Sequence, residues 1–316
     1  MIDISANTLS VDNKPVKWMT FNGSIVYSTS IDSSPVSWAL ENTTLSAVGS
    51  SGEYSYTPPG DSNSYSATMY SVPAATFWNG GNGSGNLFPV SKHVFARAQH
   101  YNSTITTFNC AGQSFNVSAQ ENLLEWAKSN GFDPTLVDGL SSFAGDIQMV
   151  VTSSDQFLED NIPYYIDEMT FKGMFHRDDF KGLAGWCGTQ IASSWENWYS
   201  RPQPIVFTSD VASGDTRGEL VWSTPKMLSS LVPEGEQYDY IRQLGPTYLG
   251  TTGDSGKPIY ITIGGGKNIV VSHNHQIRKG FVNAPYFMSG PNYTKAFPLL
   301  KAYVESKGDT IKTLEG

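Results

Sequence analysis

One serine of the chain lies in a setting that suits nucleophilic catalysis. It is Ser255 in the stretch Gly253-Asp254-Ser255-Gly256, which is followed by the apolar run Ile259 to Ile263. Glycines on both sides allow the backbone to turn tightly and a substrate to approach it closely. Such a turn could direct the N–H groups of Gly253 and Ser255 at one point and form an oxyanion hole. The same residue types are common in polar surface turns, so the motif alone leaves both interpretations open.

Acyl transfer by a serine needs a base that reaches the hydroxyl and an acid that orients the base. His100 ends the apolar stretch that starts at Val94, and Asp146 opens the apolar stretch that runs to Thr152. Each residue therefore lies at the end of a predicted strand, and the three follow in the order His100, Asp146, Ser255. We predict that His100 is the base and Asp146 the orienting acid. The alternative candidates are His93 for the base and Asp138 or Asp155 for the acid.

These three motifs resemble those of the chymotrypsin-like serine peptidases, which have the trypsin fold. That family has Ala-Ala-His at a strand end, then Asp-Ile-Ala-Leu, then Gly-Asp-Ser-Gly-Gly-Pro. The matching stretches are Ala96-Arg-Ala-Gln-His100, Asp146-Ile-Gln-Met149 and Gly253-Asp-Ser-Gly-Lys-Pro258. The resemblance covers residues 62–306 and implies an all-β fold of two six-stranded Greek-key barrels with a C-terminal helix. Tyr101 is a departure, because the family often has a cysteine there.

The resemblance also implies a role for each matching residue. Ser255 would be the nucleophile, His100 the general base and then acid, and Asp146 the residue that holds the imidazole in its productive tautomer. The N–H groups of Gly253 and Ser255 would bind the oxyanion. The implied activity is that of a serine endopeptidase acting on protein or peptide, without metal or cofactor. Two alternatives stay open: a catalytically inactive protein that keeps the fold for binding or structure, and an esterase with the same triad.

Specificity follows from the same resemblance. The floor of the primary pocket would be Leu249, whose apolar side chain argues against cleavage after Lys or Arg. The pocket wall would include Ser272, His273 and Asn274, and Asn274 would narrow the pocket in place of a glycine. A small or apolar residue is therefore expected at the cleavage site. An acidic residue is the alternative if His273 or His275 faces the pocket.

Short β-branched and aromatic segments separated by turns recur from residue 64 onward, which is typical of a sandwich or barrel. Strands are predicted at 66–70, 87–91, 92–98, 103–108, 147–152, 205–208, 220–223, 258–263 and 268–272. Two helices are predicted as well. One follows a capping box at Ser118 to Glu121 and ends near Gly131, and the other runs from Thr294 to Lys307 with Pro298 in its first turn.

Three regions are predicted along the chain. Residues 1–30 read as a β-hairpin around Asn22-Gly23, 31–61 as a linker with short strands, and 62–316 as the peptidase domain. The hairpin also resembles short N-terminal hairpins of phage tail and virion proteins, which implies attachment to an assembly. Packing of the hairpin on its own domain is the alternative.

Composition limits the remaining classes. The 316 residues include 13% aromatics and 16% charged residues, which is typical of a globular protein. The net charge of −9 disfavours binding to nucleic acid or anionic membranes. The first residues lack the features of a signal peptide, and no apolar run is long enough to span a membrane. The location stays open, and a virion and the bacterial cytoplasm are the two candidates. Cys110 and Cys187 do not have the spacing of a zinc site, although they could pair.

Overall fold

The fold is described from a computed structural model of the chain. The largest elements among the described residues are two antiparallel β-sheets and a C-terminal helix. The structure describes residues 2–3, 10–11, 14–15, 18–21, 24–28, 52–56, 65–69, 72, 74–78, 84–100, 103–132, 146–153, 162–176, 178–180, 183–188, 203–208, 219–223, 255–263, 267–278 and 287–314.

The N-terminal part contains small β-units outside the two large sheets, and its strand Ser24–Ser28 comes within 8 Å of the helix Glu168–Phe175. Its strands are β1 (Ile2–Asp3), β2 (Ser10–Val11), β3 (Lys14–Pro15), β4 (Trp18–Phe21), β5 (Ser24–Ser28), β6 (Gly52–Tyr56) and β7 (Tyr65–Met69). Strands β4 and β5 pair antiparallel on either side of Asn22-Gly23, as this hairpin sequence predicts. Strands β6 and β7 form a second antiparallel pair. The role of residues 1–30 as an attachment module, and any association with a virion or phage, stay predictions.

The first large sheet has six strands in the order β11-β12-β13-β10-β9-β8. They are β8 (Ala75–Trp78), β9 (Ser84–Pro89), β10 (Val94–Ala98), β11 (Thr107–Cys110), β12 (Gln113–Asn122) and β13 (Ile147–Thr152). Residues of its two edge strands, β11 and β8, come within 8 Å of each other, so the sheet curls towards a barrel. Inside it, Phe95 packs edge-on against Phe108 and Phe115.

The second large sheet has seven strands in the order β18-β17-β14-β15-β16-β20-β19. They are β14 (Ala184–Cys187), β15 (Gln203–Thr208), β16 (Leu220–Ser223), β17 (Pro258–Ile263), β18 (Lys267–His273), β19 (Gln276–Arg278) and β20 (Phe287–Gly290). Its two ends are β18 and β19, which only Asn274 and His275 separate along the chain. The sheet therefore bends round until its ends are consecutive in sequence.

Three helices are described, and each begins at a side chain that caps it. They are α1 (Leu123–Ser129), α2 (Glu168–Phe175) and α3 (Tyr293–Ser306). The caps are Asn122, Asp167 and Asn292, whose side-chain oxygens accept from backbone N–H groups of the first turn. Helix α3 packs against α1, where the rings of Trp126 and Tyr303 meet edge-on with centroids 5.0 Å apart.

The prediction of a mostly β protein with a C-terminal helix is confirmed, while closure into two six-stranded barrels stays a prediction. The prediction of a capping box at Ser118 to Glu121 was wrong. Ser118 to Glu121 continue β12, because they pair with β13, and Asn122 caps α1 instead. Pro298 lies beyond the first turn of α3, not within it. Helix α2 was not predicted.

Both cysteines are buried thiols and are not joined to each other. Cys110 packs in the interior of the six-stranded sheet and Cys187 in that of the seven-stranded sheet. Burial raises the pKa of the Cys110 thiol to about 12, so this side chain stays protonated and inert. Among the helices of the described residues, none has the length and apolar character needed to cross a membrane.

Candidate active site

Strand pairing brings His100 and Asp146 together. Strands β10 and β13 are antiparallel neighbours, with Ala98 opposite Ile147. His100 lies two residues beyond the end of β10, and Asp146 lies one residue before the start of β13. The two residues therefore meet at the same edge of the six-stranded sheet. A backbone bond from Gln99 N–H to the carbonyl of Asp146, 2.8 Å long, continues the ladder to this point.

Asp146, His100 and Ser255 form a continuous chain of hydrogen bonds. Oδ1 of Asp146 lies 2.9 Å from Nδ1 of His100, and Nε2 of His100 lies 2.8 Å from Oγ of Ser255. An ionised carboxylate can only accept, so Nδ1 carries the imidazole hydrogen and Nε2 presents a lone pair to the serine hydroxyl. The backbone N–H of His100 also donates to Oδ1 of Asp146, at 3.1 Å. This arrangement can move the Ser255 proton to His100.

Contacts with both sheets fix the backbone at Ser255. Its carbonyl accepts from the backbone N–H of Asn86 in β9 at 3.0 Å and from the Asn86 side chain at 3.2 Å. The N–H of Gly256 donates to the carbonyl of Asn274 at 2.8 Å. Gly256 has a φ of +83°, and a Cβ there would lie 2.1 Å from the Asn86 carbonyl oxygen. Only glycine therefore fits directly after the serine.

A second histidine binds the other oxygen of Asp146. Nε2 of His273 lies 3.3 Å from Oδ2, and Nδ1 of His273 lies 2.7 Å from the hydroxyl of Tyr293. Because the carboxylate only accepts, Nε2 carries the hydrogen and Nδ1 accepts from Tyr293. His273 has no exposed surface and Tyr293 almost none. The inner side of the aspartate is therefore held by a dry, hydrogen-bonded pair.

The two sides of Asp146 determine its charge. Burial by itself raises the pKa of this carboxyl, but hydrogen bonds from His100 and His273 oppose burial and hold the pKa well below its usual range. For His273, burial lowers the pKa, and the bond to Asp146 only partly offsets that effect. Asp146 is therefore ionised and His273 neutral near pH 7.

A third histidine lies beside the same carboxylate. Nδ1 of His275 lies 3.2 Å from Oε1 of Glu219, and Nε2 of His275 lies 3.8 Å from Oδ2 of Asp146. The backbone carbonyl of His275 is 3.5 Å from Oγ of Ser255. The imidazole rings of His275 and His100 have centroids 5.4 Å apart. Glu219 and His275 were not predicted as site residues, although His275 was named as a residue that could favour an acidic substrate.

The remaining predicted residues fall into two groups. Ser272, His273 and Asn274 were expected to form the pocket wall, but all three are completely buried, so their side chains face the interior. A bulge at Val271 interrupts the regular pairing of β18 with β17 just before these residues. Leu249 and Gly253 lie outside the described residues.

The alternative candidates do not join the cluster. His93 precedes β10, at the opposite end of the strand from His100, and its N–H donates to Asp309. Asp138 and Asp155 lie outside the described residues. The role of His273 was not predicted. The sequence analysis placed this residue in the pocket wall, whereas its contact with Asp146 joins distant parts of the chain.

Comparison with known proteins gives little further information. No family model matches the chain, and no curated protein does. Among solved structures, a mutant of human heparin binding protein is similar over 75% of this chain and 92% of its own, with 11% sequence identity and a TM-score of 0.42. At that identity and TM-score the similarity carries no argument about function, which must come from the site itself.

Proposed function

We propose that the protein is a serine hydrolase that cleaves peptide bonds through Ser255, His100 and Asp146. The observation that carries the proposal is the unbroken chain of hydrogen bonds from the buried carboxylate through the imidazole to the serine hydroxyl. A single hydrogen bond between a histidine and a serine is common on protein surfaces. Nucleophilic catalysis needs more: the imidazole must present a lone pair to the serine, and a buried carboxylate must hold it in that tautomer.

The proposed reaction has two stages. Oγ of Ser255 attacks the carbonyl carbon while its proton passes to Nε2 of His100, and the positive imidazole is stabilised by Asp146. The same proton then passes to the leaving amine as the C–N bond breaks, which leaves an acyl group on Ser255. Water then attacks that ester and gives a proton to His100. His100 passes this proton to Oγ of Ser255 as the ester bond breaks and the acid leaves.

The placement of the three residues on the two large sheets supports this proposal. His100 and Asp146 lie at one edge of the six-stranded sheet, and Ser255 lies three residues before the start of β17 in the seven-stranded sheet. We propose that each sheet is one barrel of a trypsin fold, with the reaction between them. The oxyanion hole would be the N–H groups of Gly253 and Ser255, as the sequence motif suggests.

For specificity we keep the expectation that cleavage does not require Lys or Arg, because Leu249 is apolar. The buried residues 272–274 take no part in substrate binding through their side chains. Strand β19 begins at Gln276, three residues beyond His273. We therefore propose that the pocket wall begins after His275, further along the chain than the sequence motif suggested.

The deciding experiment uses a fluorophosphonate probe, which labels an activated serine covalently. We expect the wild type to be labelled and Ser255→Ala to lose labelling completely. Ser153→Ala is the matched control, because Ser153 is an exposed serine at the end of β13 and should not affect labelling. An unlabelled wild type would leave the inactive binding protein as the better description. Parallel assays with peptide and ester libraries separate the peptidase from the esterase.

A further inference from the structure

We propose that His100, Asp146 and His275 form a binding site for a divalent cation of the zinc class, and that the cation blocks Ser255 when it binds. Binding of the cation does not depend on the proposed hydrolase function, whereas blocking of Ser255 rests on it. The site lies where solvent can reach it: the side chain of His100 is 39% exposed and that of His275 is 22% exposed.

The donor atoms are already grouped. One ligand atom from each of the three residues lies within 4.8 Å of the others. Zinc binds imidazole nitrogen and carboxylate oxygen at about 2.0–2.2 Å, so two donors of one tetrahedral centre are about 3.3–3.6 Å apart. Nε2 of His275 and Oδ2 of Asp146 are 3.8 Å apart. A small inward movement of these side chains is enough to close the site around a cation.

The tautomer of His275 favours a cation at this point. Glu219 lies 3.2 Å from Nδ1 of His275, and its carboxylate can only accept, so the imidazole hydrogen is on Nδ1. Nε2 therefore presents its lone pair towards Oδ2 of Asp146. Two electron-pair donors face each other across 3.8 Å, and a cation between them is attracted to both.

The Glu219–His275 pair is also the usual outer support of a metal-binding imidazole. Metal ligands of this type commonly donate their second ring N–H to a carboxylate, which fixes the ring and makes the binding nitrogen more basic. Glu219 is suited to this role because its side chain is 3% exposed and is held close to β16. With neutral imidazoles the cluster also carries the two negative charges of Asp146 and Glu219, which a divalent cation balances.

His100 completes the site and links it to the reaction. If the cation binds Nε2 of His100, it takes the lone pair that accepts the Ser255 proton. If it binds Nδ1, it displaces the hydrogen that joins His100 to Asp146. Either mode removes the general base. Two imidazoles and one carboxylate suit zinc and similar transition metals better than Mg²⁺ or Ca²⁺, which prefer oxygen donors.

The test is a calorimetric titration of the full chain with ZnCl₂, repeated with MgCl₂. We expect one zinc ion per chain, no comparable binding of magnesium, and at least a tenfold weaker zinc affinity for His275→Gln. His93→Gln is the matched control, since His93 lies at the far end of β10, and it should bind zinc like the wild type. Should His275→Gln fail to fold, Glu219→Gln takes its place and should also bind zinc more weakly than the wild type.

Two results would overturn the site: no saturable zinc binding by the wild type, or equal zinc affinity in the wild type and the His275→Gln or Glu219→Gln variant. Blocking of Ser255 is measured separately, as the rate of fluorophosphonate labelling against zinc concentration. Labelling should fall with the same half-saturation as the calorimetric binding, and unchanged labelling of the zinc-bound protein would refute the block. A wild type that is never labelled refutes the proposed hydrolase, while the titration still tests the metal site.

Discussion

The two oxygens of Asp146 face two histidines in opposite surroundings. On the outer side, His100 is partly exposed and contacts Ser255; on the inner side, His273 is completely buried and contacts Tyr293. Both imidazoles direct a ring nitrogen at the same carboxylate. The difference shows how one residue type serves two purposes: the exposed ring contacts the serine hydroxyl, whereas the buried ring is held neutral and keeps the carboxylate in place.

The largest effect should come from changing the carboxylate that both sides share. Asp146→Asn removes the charge that stabilises a protonated His100, so we expect the labelling rate of Ser255 to fall on the order of 10³-fold. Labelling kinetics measure this effect, and near-ultraviolet circular dichroism checks that the fold is kept. A rate close to that of the wild type would show that the Asp146–His100 bond has no catalytic role.

A smaller effect is expected on the inner side. Tyr293→Phe removes the hydroxyl that His273 accepts from, which should cost about 1–2 kcal/mol of unfolding free energy. It should also slow labelling several-fold, because Asp146 is less firmly held. Denaturant unfolding and labelling kinetics give the two values.

Tyr165→Phe is the matched control for this change. Tyr165 is equally buried, and its ring lies beside that of Tyr293 with centroids 6.3 Å apart, but its hydroxyl donates to the carbonyl of Pro89 at 2.9 Å. The change to Phe keeps the ring and removes only this hydroxyl. We expect a similar loss of stability without a change in labelling rate. Equal labelling rates in Tyr293→Phe and Tyr165→Phe would show that His273 and Tyr293 do not position Asp146 for catalysis.

The smallest effect should be a pH dependence of stability. Burial holds the pKa of His273 below its usual value, so the unfolded chain binds a proton more readily than the folded one. The contribution of His273 to the free energy of unfolding is therefore complete above about pH 6.5. It is lost as the pH falls towards the pKa of His273 in the folded protein, by at most about 1.4 kcal/mol per pH unit.

Asp146 acts in a separate pH range. Its pKa is also lowered by folding, so its contribution is lost only below about pH 3.9. Denaturant unfolding of the wild type and His273→Gln at a series of pH values should show a shallower slope for the variant just below pH 6.5. Identical slopes would mean that His273 binds protons equally in both states.

The outer side of the site was within reach of the sequence, and the inner side was not. His100, Asp146 and Ser255 each lie near the end of an apolar stretch, and such local patterns can be recognised in the sequence alone. The role of His273 depends on contacts with Asp146 and Tyr293, which come from different parts of the chain. The capping box at Ser118 failed for a related reason, because pairing with β13 outweighed a local preference.

The bonds between Asn86 and the carbonyl of Ser255 have a mechanical consequence. Ser255 leads into the seven-stranded sheet, yet its main chain is fastened to β9, the strand beside the one that leads to His100. Nucleophile, base and acid are thus anchored to the same sheet. The position of Ser255 relative to His100 and Asp146 is therefore set directly by hydrogen bonds to the sheet that carries them, and not only through the packing of one sheet on the other.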